Sequence, residues 1–379
     1  MKNLKTLHLA SFDGNIGDNA NHFGFYKYLN KFQDITFEIH ELEIREFYWK
    51  ERFFDESFVN LVNQYDLLII GGGNYFELWV EDSPTGTSIA ITLELLAQIK
   101  TPLLFNALGV DSGQGASSKN LKKFKSFLDL LIKRDDFISI RNDGASATIE
   151  KYLSKSYLKS IHHTPDAGFF IDVQEPVSYY KDKKYVAINI ANDMPETRFK
   201  DITYQDYLEN LKIFISSFVK KNPDYEIVFV PHIYRDIGAI NDLLEILEDK
   251  DRRRKISIAP LLHGRDSFLE VMQIYKGAQL VLANRFHANA CAIGLGVRTI
   301  CLINYKQIRE LCREINYDLY IDVTKKDFHI PLLDKTQKHL KISTEIFSMD
   351  TLNNSYESYM KNIHIWMENT YKLKKDSNE

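Results

Sequence analysis

Short apolar runs alternate with helical patterns along the first half of the chain. The runs predict strands near residues 6–10, 37–42, 66–70, 103–107, 137–140 and 161–164, with helices between most of them. Strands of parallel βαβ units are buried on both faces and therefore have this continuous apolar character. The alternation indicates a parallel sheet that is covered by helices.

A polar stretch with one proline, residues 174–184, interrupts the pattern and predicts a linker. Beyond it, a second series predicts strands near residues 185–190, 226–231, 255–258, 279–283 and 299–303. Helical segments such as 204–220 and 266–275 separate these strands. The sequence therefore predicts an α/β protein with two Rossmann-like domains facing a cleft, over residues 1–175 and 184–345.

The C-terminal segment, residues 346–379, carries an apolar stripe at helical spacing. The stripe consists of Tyr356, Tyr359, Met360, Ile363, Trp366, Met367 and Thr370. It predicts a helix over 352–374 that packs back on the protein, and its mixed polar face favours this over a membrane-surface helix. The basic run 252–255 is interpreted as a solvated turn between a helix and a strand.

Length, composition and charge narrow the classes of function. The 379 residues exceed one ordinary core, and 44% hydrophobic with 26% charged residues is typical of a globular protein. A net charge of -4 gives no general attraction to nucleic acid or to an anionic membrane. Neither a signal peptide nor an apolar run of about 18 residues is apparent. We therefore expect a cytoplasmic protein that acts on small molecules.

The cysteines and histidines indicate neither a disulfide framework nor a metal site. Cys291, Cys301 and Cys312 fit no zinc spacing and are interpreted as buried core thiols. The histidines are scattered, and no His/Asp/Glu cluster has ligand spacing. We expect no metal and no cofactor.

The stretch 281–290 carries the strongest chemical signal. An apolar strand breaks directly into a helix whose first turn carries Arg285 and His287. In open parallel sheets, ligands bind outside the carboxyl ends of the strands, where a helix N-terminus offers unpaired N–H groups. Arg285 adds a bidentate anion fork, and His287 adds a proton that can move.

Glycine-bearing turns follow three strands of the first half. Gly71, Gly72 and Gly73 in the second turn are three consecutive residues without Cβ, which indicates that something approaches the main chain closely there. The spacing matches neither a dinucleotide fingerprint nor a P-loop, and we interpret the turns as one wall of a cleft. The third turn spans 107–115, and the candidate residues of the first two are Asn15, Gly17, Asp18, Gly71, Gly72, Gly73 and Asn74.

Three further polar residues lie near predicted strand ends. Arg141 stands at a strand-to-helix junction and is either a ligand contact or a capping residue. Asp166 ends the last strand of the first half, where it either orients Arg141 or caps a turn. His232 follows a strand of the second half with Asp236 four residues on, and is either a cleft-lining residue or a structural histidine.

The order and spacing of these positions resemble the polysaccharide pyruvyl transferase family, from Asn15 to about Lys306. The matching pieces are Asn15-Ile-Gly-Asp18, Gly71 to Gly73, Ser139-Ile-Arg141, Pro165-Asp166, Val230-Pro-His232 with Asp236, and Arg285-Phe-His287 with Gly296 and Tyr305 downstream. The departures are Ala283 for a serine, Arg298 for a proline, Ile308 for a lysine, and Asn189 to Asn192 in a strand that usually ends near an arginine.

The resemblance implies a glycosyltransferase-B architecture and a reaction. Pyruvate would pass from phosphoenolpyruvate to a sugar of a cell-surface glycan or its precursor, forming a ketal and releasing phosphate. His287 is the candidate general acid, and the donor contacts would be Arg285, Arg141, His232 and Asn284. The glycine-turn residues, Asp166 and Tyr305 would bind the acceptor or line the cleft, so that the second domain holds the donor.

Two alternatives stay open on the residues alone. One is a nucleotide-sugar-dependent glycosyltransferase of the same two-domain type, with Arg285 on the diphosphate. The other is a non-catalytic glycan-binding relative. Expected partners are phosphoenolpyruvate, as co-substrate, and a sugar or glycan acceptor, but no nucleic acid. Lipid linkage of the acceptor, peripheral attachment at the inner face of the membrane, and oligomeric state stay open.

Overall fold

A computed structural model describes residues 1–174, 179–199, 201–342 and 347–372. By its contacts the chain divides into two compact units. Unit 1 comprises Met1–Phe12, Phe25–Ala167 and Asp350–Glu379, and unit 2 comprises Asp13–Gly24 and Gly168–Met349. The short segment Asp13–Gly24 thus groups with the second half, whereas the sequence prediction places it within 1–175.

Unit 1 is built on a six-stranded parallel sheet with strand order β2-β1-β3-β5-β7-β8, and β4 and β6 form a separate two-residue ladder. Its described strands are β1 (Lys2–Ala10), β2 (Ile35–Glu43), β3 (Leu67–Gly71), β4 (Phe76–Glu77), β5 (Leu103–Leu108), β6 (Val110–Asp111), β7 (Phe137–Arg141) and β8 (His162–Thr164). All six strands predicted from apolar runs are confirmed. Every residue of β3, β5 and β7 is buried, as in a sheet covered on both faces.

Helices connect these strands. They are α1 (Ile16–Leu29), α2 (Arg45–Tyr48), α3 (Glu56–Val62), α4 (Leu93–Gln98), α5 (Ser118–Lys133) and α6 (Ala145–Tyr152), with 3-10 turns at Lys155–Lys159 and Ala167–Phe170. Helix α5 begins where a capping residue precedes it, because the Ser117 side chain accepts a hydrogen bond from the Asn120 N–H at 3.2 Å. One face then buries Phe124 and Phe127 against the core.

Unit 2 is built on a second six-stranded parallel sheet, with strand order β11-β10-β9-β12-β13-β14. Its strands are β9 (Lys184–Asn189), β10 (Tyr225–Phe229), β11 (Ile256–Ile258), β12 (Leu280–Ala283), β13 (Thr299–Ile303) and β14 (Tyr320–Asp322). The first five are confirmed predictions. Strand β14 was not predicted; it has three residues, of which only Ile321 is buried.

The helices of unit 2 correct one prediction. They are α7 (Pro195–Arg198), α8 (Tyr204–Lys221), α9 (Tyr234–Ile246), α10 (Asp249–Lys255), α11 (Ser267–Gly277), α12 (Phe286–Gly294), α13 (Lys306–Glu314) and α14 (His329–Lys341). The interpretation of 252–255 as a turn is wrong, because these residues end α10. The helix has acidic residues in its first turn and basic ones in its last, a distribution that the helix dipole favours.

The C-terminal helix α15 (Asp350–Tyr371) packs within unit 1, as the sequence predicts for 352–371, and residues 373–374 of the predicted helix lie outside the described residues. Its apolar stripe buries Tyr356, Met360 and Ile363. The Tyr359 hydroxyl donates to Asn106 Oδ1 at 2.7 Å and shares a hydrogen bond of 2.8 Å with Ser139 Oγ. These bonds fix the helix to residues of β5 and β7.

Each unit has its own hydrophobic core. The core of unit 2 includes Ile16 and Ala20 from the beginning of α1. Cys291, Cys301 and Cys312 are buried free thiols, which confirms their interpretation as core residues.

The strand order of each sheet reverses at one place. In unit 1 the chain leaves β1 toward β2 and then returns to β3. In unit 2 it leaves β9 toward β10 and β11 and then returns to β12. Loops on the two sides of such a reversal diverge at the carboxyl ends of the strands and leave a crevice for ligands. This places a candidate site after β9 and β12 in unit 2, and another after β1 and β3 in unit 1.

Candidate functional site

Arg285 lies between β12 and α12, at the reversal point of unit 2. Its N–H donates to Asn189 Oδ1 at 3.0 Å, which ties it to the end of β9. Its Nε donates to both carboxylate oxygens of Asp236, at 2.9 and 2.8 Å, and its Nη2 donates to Asp193 at 2.7 Å and to Asp236. The guanidinium of Arg285 is therefore held by two carboxylates of the same unit.

Asp236 is the buried anchor of this arginine. Its side chain is 0% exposed, against 18% for Arg285. It also accepts from the backbone N–H groups of His232 and Ile233, at 2.8 and 3.3 Å, at the beginning of α9. Burial alone would lower the pKa of Arg285, but the Asp236 carboxylate raises it above its ordinary value. The guanidinium thus stays charged at this position.

Asn284, a predicted donor contact, uses both polar atoms of its side chain in hydrogen bonds within unit 2. Its Oδ1 accepts from the Tyr207 hydroxyl at 2.6 Å, and its Nδ2 donates to Leu302 O at 2.8 Å. The side chain is fully buried. The structure therefore gives Asn284 a positioning role, holding the β12–α12 junction against α8 and β13.

Asn189 occupies the position at which the resembled family usually has a nearby arginine. It is buried, and its Nδ2 donates to Val230 O at 3.0 Å while its Oδ1 receives the Arg285 N–H. Ala283 and Ile308, the other departures near the junction, are also fully buried. These substitutions sit in the interior behind the site rather than on its surface.

His232, predicted as a donor contact, is a buried neutral histidine. Its Nε2 and the Tyr275 hydroxyl lie 2.8 Å apart, and its side chain is among the buried polar residues. Burial first, and the neighbouring Arg285 second, lower its pKa to about 3. At neutral pH it brings no positive charge to an anion, and of its two readings the structural one fits this geometry.

His287 lies in the first turn of α12 and faces Asp18. Its Nδ1 lies 3.5 Å from Asp18 Oδ1, and Asn15 Nδ2 donates to the other carboxylate oxygen at 2.7 Å. Both Asn15 and Asp18 come from the segment Asp13–Gly24 that belongs to unit 2. A carboxylate on the Nδ1 side fixes the orientation of the imidazole. The structure thus joins two candidate groups that lie far apart in the sequence.

Gly17 is the reason that this pair can form. A Cβ on Gly17 would lie 2.5 Å from His287 Cβ and 2.8 Å from its Nδ1, closer than real atoms approach. The imidazole therefore packs on bare backbone at the beginning of α1. The cleft-lining role predicted for this glycine becomes a steric one.

Tyr305 stands on the other side of the first turn of α12. Its hydroxyl accepts from the Phe286 N–H at 3.1 Å. The guanidinium carbon of Arg198 lies 4.3 Å from the centre of its ring, in a cation–π arrangement. Arg198 was not a predicted site residue, because the loop after β9 carries no recognisable motif.

In unit 1, the triple glycine packs against the unit's own chain. A Cβ on Gly71 would lie 2.2 Å from Asn106 O, and one on Gly73 would lie 2.5 Å from the Tyr75 ring. Gly71 and Gly72 also adopt φ values of 141° and 84°, which favour glycine. The predicted close approach is real, and it is made by Asn106 and Tyr75.

Arg141 is a buried member of an ion-pair group in unit 1. Its Nε donates to Asp143 Oδ2 at 2.7 Å, and its Nη1 lies 3.7 Å from Asp166 Oδ2. Asn74 lies beside the same group next to Gly109. A Cβ added to Gly109 would lie 2.4 Å from Asn74 Oδ1 and 3.2 Å from Arg141 Nη2. Three candidate residues predicted from distant motifs are therefore brought together.

Glu77 is an acidic residue of this region that sequence reasoning missed. It lies on β4 directly opposite Asp111 of β6, and the Ser88 hydroxyl donates to it. Burial raises its pKa to about 7, the Ser88 hydrogen bond opposes this, and Asp111 adds to it. A two-residue ladder leaves no period in the sequence, so no signal could have placed these carboxyls side by side.

Replacing Glu77 with glutamine should remove a pH-dependent loss of stability. Because its pKa rises from 4.5 to about 7 on folding, folding favours the protonated carboxyl. That contribution is complete below about pH 4.5 and is lost as the pH rises through about 7, by up to about 3 kcal/mol. We expect the melting temperature of Glu77→Gln, relative to that of wild type, to increase as the pH is raised from about 5 to about 8. The exposed Glu81→Gln is the control, and a pH-independent difference for Glu77→Gln would contradict the assignment.

Asp34 joins His364 and Glu368 of α15 in a His/Asp/Glu group of the folded chain. One ligand atom of each lies within 4.8 Å of the others. His364 Nε2 lies 2.7 Å from Asp34 Oδ1, across 330 residues of sequence. Sequence spacing could not reveal the group, because it forms only when α15 packs within unit 1.

The two-sheet architecture is that of glycosyltransferase-B-like enzymes. The Staphylococcus aureus MnaA structure with UDP gives a TM-score of 0.58 at 10% identity, covering 100% of this chain and 99% of that one. The UDP-GlcNAc 2-epimerase of Methanocaldococcus jannaschii gives 0.58 at 12% identity, covering 97% and 99%. At these identities the likeness shows the fold, and it confirms the predicted fold class.

The chain belongs to the polysaccharide pyruvyl transferase family, whose sequence profile matches residues 15–306. This confirms the resemblance seen in the motifs and makes the protein a transferase whose family implies a glycan acceptor. No curated protein sequence matches the chain. Among the described residues, no helix has both the length and the apolar character that a membrane crossing requires.

Proposed function

We propose that the protein transfers pyruvate from phosphoenolpyruvate to two hydroxyls of a sugar, forming a cyclic ketal and releasing phosphate. Family membership supports the reaction class. The observation that carries the proposal is the Asp18–His287 pair beside Arg285, at the reversal point of the sheet of unit 2. It combines a mobile proton with a fixed positive charge, the two things that this donor needs.

The protons of this reaction balance through His287. Its Nε2 delivers a proton to the methylene carbon of the donor, which becomes a methyl group, and C2 becomes an oxocarbenium-like centre. One sugar hydroxyl adds to C2 and its proton restores His287. The second hydroxyl then displaces the phosphate oxygen from C2, and its proton leaves with the phosphate. Asp18 holds the imidazole in place throughout.

Arg285 is the proposed contact for the anionic part of the donor. Its Nη1 makes no hydrogen bond in the described part of the chain, whereas Nε and Nη2 are held by carboxylates. Positioning by Asp236 leaves that edge of the fork pre-oriented for a phosphate or carboxylate oxygen. Because the donor is a phosphorylated metabolite, we propose the cytoplasm as the site of reaction.

An acceptor screen tests the proposal. Purified protein is incubated with phosphoenolpyruvate and a panel of free, nucleotide-linked, lipid-linked and polymeric sugars, and both phosphate release and a mass gain on the sugar are measured. We expect release only when a sugar is present. Release without a mass gain on the sugar would overturn ketal formation. Heat protection by UDP and not by phosphoenolpyruvate would favour the nucleotide-sugar alternative instead.

A further inference from the structure

Asp193 lies among three arginines in the loop after β9. Its Oδ2 is 2.7 Å from Nη2 of Arg285 and 3.8 Å from Nη1 of Arg198, and its Oδ1 is 3.6 Å from Nη1 of Arg235. Burial alone would raise the pKa of Asp193, but these guanidiniums lower it below its ordinary value. The carboxylate is therefore an anion held in a cationic pocket of unit 2.

Orientation of Arg285 does not require this carboxylate. Asp236 already binds both Nε and Nη2 of Arg285 and is 0% exposed, while Asp193 is 11% exposed and adds a second contact to Nη2. One bidentate carboxylate is sufficient to fix a guanidinium plane. The second carboxylate is the more exposed of the two, and it also pairs with Arg198 and Arg235.

The loop that carries Asp193 contains a residue in an uncommon backbone conformation. The next residue, Met194, has φ 50° and ψ 55°, a left-handed conformation that is uncommon for a residue with a Cβ. Its carbonyl accepts from the N–H groups of Thr197 and Arg198, at 3.0 and 3.1 Å, in the short helix α7. The Asp193 ion pairs hold the residue just before this turn against the sheet end.

We propose that Arg198, Arg235 and Arg285 form the anion site for the phosphate or carboxylate of the donor, and that the Asp193 carboxylate occupies this site until the donor displaces it. The identity of the donor rests on the proposed function. The site itself rests on the distances above, and nothing in the sequence assigns Arg198 or Arg235 to it.

Displacement exchanges one anion for another, so the partly buried Arg285 and Arg198 keep an anionic partner, while Arg235 is 69% exposed. Three guanidiniums against Asp193 and Asp236 leave one excess positive charge, and moving Asp193 into water leaves two. That charge suits a ligand with a phosphate and a carboxylate better than a single carboxylate. The arrangement also explains how a group of arginines persists in the protein without a ligand.

The test measures binding of phosphoenolpyruvate and of inorganic phosphate by calorimetry at low salt. For Asp193→Asn we expect about 10-fold tighter binding of both anions, because a competing charge within about 4 Å is removed. For Arg198→Gln we expect binding weaker by about 10-fold, and for the more exposed Arg235→Gln by about threefold. Arg253→Gln, an exposed arginine of α10, is the matched control and should leave binding unchanged.

The outcomes separate this inference from the proposed function. Weaker anion binding in Asp193→Asn would show that Asp193 only supports Arg285 and would overturn the inference, even with wild-type ketal formation intact. Tighter phosphate binding in that variant, with no phosphoenolpyruvate binding by any form, would support the anion site and overturn the proposed donor. Circular dichroism of each variant checks that it is folded.

Discussion

Replacing His287 with glutamine is expected to lower ketal formation by about 100-fold or more while phosphoenolpyruvate still binds. Glutamine can place a hydrogen-bonding group near the position of Nε2, but it carries no proton that moves at neutral pH. Arg285 and its carboxylate partners do not depend on the imidazole, so the donor contact should survive. Steady-state phosphate release and calorimetric donor binding measure the two effects separately.

The control for His287→Gln is His263→Gln, an exposed histidine of unit 2, which should leave turnover unchanged. Asp18→Asn should give a loss in the same direction, because it removes the charge that lies 3.5 Å from Nδ1. Turnover of His287→Gln near that of wild type would end the assignment of His287 as the proton donor. Loss of both turnover and donor binding would instead make it a binding residue.

Replacing Asp236 with asparagine is expected to destabilise unit 2 by about 3 kcal/mol. The side chain is 0% exposed and carries the bidentate contact to Arg285 together with two backbone N–H groups. Asparagine keeps the shape, but it leaves a partly buried guanidinium with only Asp193 opposite. Urea unfolding monitored by far-UV circular dichroism measures the change in the free energy of unfolding.

An exposed pair gives the comparison for Asp236→Asn. Asp249 pairs with Arg253 on α10, with both side chains largely exposed, and Asp249→Asn should change the free energy of unfolding by at most about 0.5 kcal/mol. Equal effects of the two substitutions would mean that Asp236 contributes no more than a surface pair. Ligand binding should also weaken in Asp236→Asn, because the fork of Arg285 loses its fixed plane.

Most of the fold could be predicted from the sequence, because buried parallel strands are continuous apolar runs. Strands β4, β6 and β14 were not predicted; β8 and β11 are as short as β14, but they were found within the apolar runs 161–164 and 255–258. The run 252–255 was misjudged, because a cluster of like charges is equally compatible with a turn and with the last turn of a helix.

The candidate residues could be found one by one, but their partners could not. Arg285 and His287 were visible at a strand-to-helix junction. Which carboxylates face them depends on the folded chain: Asp193 lies on a loop without a motif, and Asp18 lies more than half the chain away. Sequence order also cannot tell a charge that is open to a ligand from one that is already neutralised.

The steric role of Gly17 is also invisible in the sequence around it. A motif glycine is usually taken as evidence for a turn or a ligand, whereas here the missing Cβ makes room for His287, a catalytic candidate from the second half of the chain. Nothing local to residues 15–18 distinguishes the two explanations. Only the packing of α12 on this turn does.

The beginning of α1 has a consequence for protein engineering. Ile16 and Ala20 complete the core of unit 2, and Asp18 of the same turn faces His287. A fragment made by one cut in the linker would therefore carry a hole in its core and an imidazole without its carboxylate. A separately expressed C-terminal half should therefore carry residues 13–24, by circular permutation or as an added peptide. In a chimera with a relative, residues 13–24 and the C-terminal half should come from the same protein.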